Sequence, residues 1–168
     1  MGTCMGKRSR QRPMDFGSAS TFVESVYISE LVELGTCLLK ALNYYGLSEV
    51  EFKKDIRDDK FKLLEINART WLWHSLAIRC GVDFPYLLYK DMIGEHVEPI
   101  TSFKENVKFI HFYTDLGVVI NEVLKGKMAF KDYFISLKGE KDFAVFSLVD
   151  PLPFIAETLM LPYLWKTR

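Results

Sequence analysis

The sequence predicts an α+β fold in which an antiparallel sheet packs with helices. Two strand-like segments, 48–55 and 60–67, flank a polar turn, a pattern typical of an antiparallel hairpin. Leucines recur at helical spacing between Leu31 and Leu42, which predicts a helix before the hairpin. Because helical and strand-like segments interleave while the clearest strand pair is antiparallel, the pattern favours α+β over a parallel doubly wound sheet.

The first half of the chain predicts a strand, a helix, the hairpin and two short helices. Residues 3–12 form an unusually basic predicted strand that ends at Pro13, because proline cannot donate a ladder hydrogen bond. Ser29 is the predicted N-cap of the leucine-rich helix, which we expect to stop at Gly46. The short helices, each followed by a glycine, are predicted at 71–80 and 84–93.

The pattern changes around Pro99, where a second group of elements begins. We expect a first domain over residues 1–98 and a small C-terminal α/β appendage over 99–168. The appendage is predicted to contain a strand at 107–113, a helix at about 116–124, a strand at 142–149 and an apolar segment from 150 to 165.

Composition excludes several classes of function. Basic and acidic residues both total 22, so no net charge favours a nucleic-acid partner. The sequence contains no run of about 18 apolar residues, and we expect no membrane partner and a cytoplasmic location. The three cysteines lack CxxC or Cys/His spacing, which argues against structural zinc or a disulfide framework and predicts small buried apolar side chains.

Acidic side chains are predicted to face each other across the hairpin. If residues 57–59 form a three-residue loop, Glu51 lies directly opposite Glu65, and Glu49 and Asn67 share their face. Like charges at the spacing of paired Cβ atoms, about 5 Å, destabilise a sheet unless something positive lies between them. Such a cluster of hard oxygen ligands suits Mg²⁺ or Mn²⁺. The alternative interpretation is a solvated face with lysine neighbours.

These residues carry a resemblance to a known family. The runs EVEFK (49–53) and LLEINAR (63–69) resemble the end of the ATP-grasp domain, as found in biotin carboxylase and the carbamoyl-phosphate synthase large chain. The segments 10–17 and 71–89 are similar to the carboxylate-amine ligases described as carbamoyl-phosphate-synthase-like. The resemblance is strong over 7–94 and weaker over 99–168. Family members usually have proline where this chain has Ala68, and many have glycine where it has Leu72.

The resemblance implies the C-terminal lobe of an ATP-grasp domain and a role for each matching residue. Glu51, Glu65 and Asn67 would be the ligands of Mg²⁺ (or Mn²⁺) that bridges the ATP phosphates. Arg69 would be the catalytic group that contacts phosphate or an acyl-phosphate, unless it forms only a surface ion pair. Lys53 would be a supporting cation for the nucleotide.

Arg10 and Arg12 allow two interpretations. In the first, they bind the substrate carboxylate or the acyl-phosphate. In the second, they are charges that protect an edge strand from aggregation.

The implied activity is that of an ATP-dependent carboxylate-amine ligase, which activates a small carboxylate as an acyl-phosphate. Such enzymes clamp ATP between two lobes, and the first lobe supplies a glycine-rich loop, lysines and an adenine-binding linker. We expect this chain to be the second half, either a fragment, a truncated product or one subunit of a split enzyme whose partner chain supplies the first lobe. The alternative is a noncatalytic remnant or regulatory subunit that acts through a partner.

Overall fold

The computed structural model describes residues 2–167 and confirms the α+β class. The strands are β1 (Gly6–Arg12), β2 (Ala19–Ser25), β3 (Glu49–Lys54), β4 (Phe61–Asn67), β5 (Lys108–Ile110) and β6 (Lys141–Phe143). The helices are α1 (Ser29–Ala41), α2 (His74–Arg79), α3 (Phe84–Met92), α4 (Phe112–Leu124), α5 (Phe130–Ser136) and α6 (Leu152–Thr167). In the described part of the chain, no helix is long and apolar enough to cross a bilayer.

The chain forms two compact units, which differ from a division at residue 98. Unit 1 comprises residues 2–7 and 24–107, and unit 2 comprises 8–23 and 108–167. The N-terminal strands contribute to unit 2 because one sheet has the order β1-β2-β5-β6, which joins them to strands from the end of the chain. Such long-range pairing leaves no local sequence signal.

The sheets are of two kinds. β3 and β4 pair antiparallel in a separate hairpin within unit 1. In unit 2, β5 and β6 pair in parallel, with Lys108 opposite Lys141 and Ile110 opposite Phe143. This parallel pair lies within the segment predicted as an α/β appendage, and its connection contains α4 and α5.

The first helix differs from its predicted ends. Its N-cap is Ile28 rather than Ser29, because the Ile28 carbonyl already accepts hydrogen bonds from the backbone of Leu31 and Val32. The helix ends at Ala41 rather than near Gly46. Asn43 takes a φ of +48°, and asparagine tolerates this left-handed conformation well enough to end a helix.

Element lengths in the second half also differ from those predicted. The predicted strand at 107–113 shortens to β5, because His111 becomes the N-cap of α4 and the chain turns into the helix there. The strand predicted at 142–149 is only β6, the apolar segment is α6, and α5 was not predicted. Aromatic residues favour strands but also pack on helices, so their propensity alone did not tell strand from helix in this half of the chain.

Unit 1 is built around a small aromatic core. The Trp71 ring lies 5.5 Å from the rings of both Trp73 and Phe84, measured between centroids. Leu76 and Val82 beside them are fully buried. Both tryptophans therefore have packing roles, and they fix the chain directly after the hairpin.

The cysteines of unit 1 have different environments. Cys80 is buried, Cys4 is partly buried and Cys37 is exposed, so the expectation of three buried cysteines is wrong for Cys37. Burial, followed by the neighbouring Cys80 thiol, raises the pKa of the Cys4 thiol to about 12. At neutral pH Cys4 is therefore a protonated, poorly nucleophilic thiol.

We predict that Cys37 alone reacts rapidly with a disulfide reagent such as DTNB in the folded protein. At pH 8 the raised pKa of Cys4 keeps its thiolate fraction small, and burial hinders attack on Cys80. Stopped-flow absorbance measures the rates, and the Cys37→Ser variant should lose the rapid phase. A Cys4 rate equal to that of Cys37 would contradict this prediction.

Unit 2 contains a buried ion pair. The Arg10 guanidinium donates to both carboxylate oxygens of Asp115, at 2.8 Å from Nε and 2.7 Å from Nη2. Thr21 Oγ1 donates to the same carboxylate at 2.8 Å, and Arg10 Nη1 donates to Ser136 Oγ at 3.0 Å. Phe22 lies under the guanidinium, with its ring centroid 3.9 Å from Cζ. Since Arg10 and Asp115 are only 5% and 0% exposed, each charge depends on the other for compensation.

We predict that Asp115→Asn lowers the free energy of unfolding by about 3–5 kcal/mol, because it leaves the Arg10 charge buried without its counterion. The double variant Arg10→Met, Asp115→Leu should recover most of this loss, since it removes both charges. The exposed pair of Lys127 and Asp15, 3.4 Å apart, supplies the control. Its Asp15→Asn variant should stay within about 1 kcal/mol in urea denaturation. A similar loss in both single variants would show that burial of Asp115 is not decisive.

Candidate functional site

The β3–β4 hairpin of unit 1 brings the predicted acidic residues into register. Glu51 lies directly opposite Glu65, and Glu49 lies directly opposite Asn67, as predicted. Directly paired residues project to the same face of a sheet, and alternate residues along a strand share that face. The four side chains therefore lie on one face, which we call the acidic face.

The turn of the hairpin differs from the prediction. It has four residues, 56–59, rather than three, because the Asp55 N–H donates to the Lys60 carbonyl at 2.8 Å. That turn alone would shift the register by one residue and place Glu51 and Glu65 on opposite faces. The register changes between Glu51 and Phe52, and Leu64 is the extra residue on β4. This β-bulge restores the pairing of the two glutamates.

The Asn67 carboxamide connects the acidic side chains. Its Nδ2 donates to Glu65 Oε1 at 2.9 Å and to Glu49 Oε2 at 3.4 Å. Its Oδ1 accepts a hydrogen bond from Arg69 Nη2 at 3.3 Å. The four groups thus form one network, in which Arg69 donates to Asn67 and Asn67 donates to the carboxylates of Glu65 and Glu49.

The two predicted cations, Arg69 and Lys53, lie in different places relative to the acidic side chains. Arg69 is exposed and also donates from Nη1 to the Thr70 carbonyl at 3.0 Å, so its guanidinium lies against the end of β4. Lys53 shares the acidic face by strand alternation and is paired with Lys62 beyond the bulge. Arg69 therefore lies beside the acidic cluster, and Lys53 lies further toward the turn.

The opposite face of the hairpin packs on a helix. Phe52 points away from the acidic face, and a Cβ added to Gly35 of α1 would lie 3.9 Å from Phe52 Cε2. The Phe52 side chain therefore lies beside α1, whereas Leu63, its partner across the hairpin, is exposed. Glu65 and Arg69 are exposed and Glu51 is half-buried on the other side, where a ligand can approach.

The side chains of the acidic face are of the kinds that bind Mg²⁺ in proteins. Among residues 2–167, no group of three or more His, Cys, Asp or Glu side chains is arranged to hold a metal ion. Mg²⁺ is usually held by one or two carboxylates together with phosphate oxygens and water. The carboxylates of Glu51 and Glu65 and the Asn67 oxygen match that incomplete protein set.

Arg10 and Arg12 belong to unit 2. Arg12 is exposed, whereas Arg10 is buried against Asp115, so the edge-charge interpretation is wrong for Arg10. The ion pair gives Arg10 a structural role that the run of basic residues did not reveal. The sequence signal for this ion pair was Asp115, the single aspartate in the largely apolar sequence of α4, because a buried acid requires a partner.

Glu49 is the residue of this site that the sequence-based ligand set left out. It shares the predicted face, and the structure adds its hydrogen bond to Asn67. The alternation of strand side chains was sufficient to include it.

No protein-family model matches the chain, and no curated protein matches it either.

We predict that Asn67→Asp destabilises the hairpin when no divalent ion is present. The substitution replaces the donor to Glu65 with a like charge, which should cost about 1 kcal/mol at low ionic strength. Urea denaturation in EDTA measures the change, and about 1 M salt should reduce it by screening. Asn121→Asp on the exposed surface of α4 is the control. Equal effects of the two substitutions would mean that Asn67 does not bridge the acids.

Proposed function

We propose that the acidic face binds a magnesium-nucleotide complex and belongs to the C-terminal lobe of an ATP-grasp carboxylate-amine ligase. The observation that carries the proposal is the register of Glu51 on Glu65, which a β-bulge maintains. Adjacent like charges cost stability in a sheet, so a bulge that brings them together favours a ligand-binding role. The resemblance of the surrounding sequence to ATP-grasp proteins supports the identity of that ligand.

The chemistry of the site follows from its charges. When bound, Mg²⁺ would bridge and polarise the nucleotide phosphates. Glu51 and Glu65 would supply the carboxylates that hold the ion. Asn67 would give up its hydrogen bond to Glu65 and bind the ion through Oδ1. The register places Glu51 beside Glu65, and the bonds from Asn67 hold Glu65 and Glu49 on the same face before the ion binds.

Arg69 would bind the transferring phosphate or the acyl-phosphate. Its planar guanidinium is always charged and presents donors that suit two phosphate oxygens. In this structure it donates to Asn67 and to a backbone carbonyl, which holds it next to the acids. Phosphoryl transfer depends mainly on such positioning and on neutralised charge.

Mn²⁺ with ATP tests the proposed site directly. As a paramagnetic substitute for Mg²⁺, Mn²⁺ should broaden the amide NMR signals of 49–51 and 65–69 before any others. Glu51→Gln and Glu65→Gln should each weaken binding about tenfold or more, because a hydrogen-bonding or ligating charge contributes about 1.5–3 kcal/mol. Isothermal titration calorimetry with Mg-ATP measures that loss.

The matched control is Glu33→Gln, an exposed glutamate on α1. It changes the net charge by the same amount and should leave the affinity unchanged. Broadening that spreads over all acidic surfaces, or equal losses in the three variants, would overturn the proposed site.

We further propose that turnover needs a second lobe, supplied by a partner chain, and a small carboxylate substrate. In ATP-grasp ligases the nucleotide lies between two lobes, so this site alone would bind ATP without hydrolysing it. Phosphate release should appear only when a chain that supplies the first lobe and a carboxylate are both added. Nucleotide binding with no turnover in that mixture would favour a regulatory role.

A further inference from the structure

Unit 2 contains a cavity that is separate from the proposed nucleotide site. Its volume is about 220 Å³, and its walls come from β1, the turn after β1, α4 and the segment after α4. A cavity of about 150 Å³ is large enough to hold benzene. This cavity therefore has room for a small organic molecule of about ten non-hydrogen atoms.

One wall of the cavity carries a buried cation with donors to spare. Arg10 lines the cavity and is only 5% exposed. Its bonds to Asp115 and Ser136 use three of the five N–H groups of a guanidinium. Among residues 2–167, no acceptor is found for the other two. The hydroxyl of Tyr133, whose ring centroid lies 5.3 Å from Arg10 Cζ, is also buried without a partner among those residues.

Another wall carries a buried anion. Glu122 of α4 lines the cavity and is only 5% exposed. Its Oε1 accepts a hydrogen bond from Lys125 Nζ at 2.8 Å. Within the described part of the chain, Oε2 accepts none. The remaining lining consists of Met14, Val118, Val119 and Met128, which are apolar, together with Ser9 and with Lys127, whose ammonium pairs with Asp15 at 3.4 Å.

This combination selects for one kind of ligand. Arg10 and Glu122 are already paired with Asp115 and Lys125, so what a ligand can satisfy are the two spare N–H groups of Arg10 and the spare oxygen of Glu122. A zwitterion satisfies both walls, with its carboxylate toward the spare donors beside Arg10 and its ammonium toward Glu122. We propose that the cavity binds an α-amino acid with an apolar side chain, which would pack on Val118 and the methionines.

L-Leucine is the probe for this proposal, with ¹H–¹⁵N NMR of the full chain as the measurement. A ligand of this size is expected to bind with a Kd of about 1 mM, so titration to about 10 mM approaches saturation. The amide signals of 118–122 and 128 should shift, and those of the acidic face should not. Failure of L-leucine to shift the cavity signals overturns the proposal.

Two analogues separate recognition of both charges from simple filling of an apolar cavity. 4-Methylpentanoate lacks the ammonium group, and 3-methylbutylamine lacks the carboxylate. Each should bind at least about tenfold more weakly than L-leucine, because it loses its hydrogen bond either to the spare oxygen of Glu122 or to the spare N–H groups of Arg10. Equal affinity for all three compounds would overturn the zwitterion proposal.

Two variants test the role of Glu122 with opposite expected signs. Glu122→Gln should weaken L-leucine binding about tenfold and leave 4-methylpentanoate unaffected, since only the ammonium loses a partner. Lys125→Met removes the competing cation from Glu122 and should strengthen L-leucine binding. Lys125 has an exposed side chain, so this variant is expected to fold normally. If Lys125→Met leaves the affinity unchanged or weakens it, Glu122 does not bind the ammonium.

The outcome of the amino-acid titration is independent of the outcome at the proposed nucleotide site. The cavity lies wholly in unit 2, whereas the acidic face lies in unit 1. The amino-acid titration uses neither nucleotide nor metal. Failure of either binding reaction therefore leaves the other proposal intact.

Discussion

The pairing of β3 with β4 places Glu51 and Glu65 on one face, and every property of the acidic face depends on it. Side chains in a strand alternate with a period of two, so a slip of one residue would send one glutamate toward α1. The four-residue turn would produce that slip by itself. The extra residue, Leu64, cancels this slip. The strand register next to the turn therefore differs by one residue from the register at the acidic end of the hairpin. A local distortion of the backbone thus determines which charges meet.

The like charges that meet there lower the stability of the sheet. Two acids in direct register repel each other, and a cross-strand pair of opposite or apolar side chains would stabilise the hairpin better. Asn67 and Arg69 partly offset the repulsion through the hydrogen-bond chain that ends at Glu49. The bonds that Asn67 makes with Glu65 and Arg69 are exposed to solvent, so the proposed divalent ion would replace them at modest free-energy cost.

Unit 2 uses charge in a different way. Arg10 and Asp115 are removed from water, where only excellent geometry compensates their lost hydration. Both oxygens of Asp115 and three N–H groups of Arg10 are bonded, which fixes β1 against α4 and α5. The same rigid cation borders the cavity that also contains Glu122. A polar network that holds the unit together therefore also leaves donors available for a small ligand.

The sequence by itself determined the α+β class, the existence of the hairpin and the pairing of its acids. These follow from local rules, namely hydrophobic periodicity, turn residues and strand alternation. It did not determine how that pairing arises, since the three-residue turn was wrong and nothing in the Leu63-Leu64 sequence marks a bulge. Only the tertiary structure decided that 8–23 joins 108–167, that β5 and β6 are parallel, and that Arg10 is buried. Those features come from contacts between residues far apart in the chain, such as Arg10 and Asp115, whose free energy depends on the completed fold.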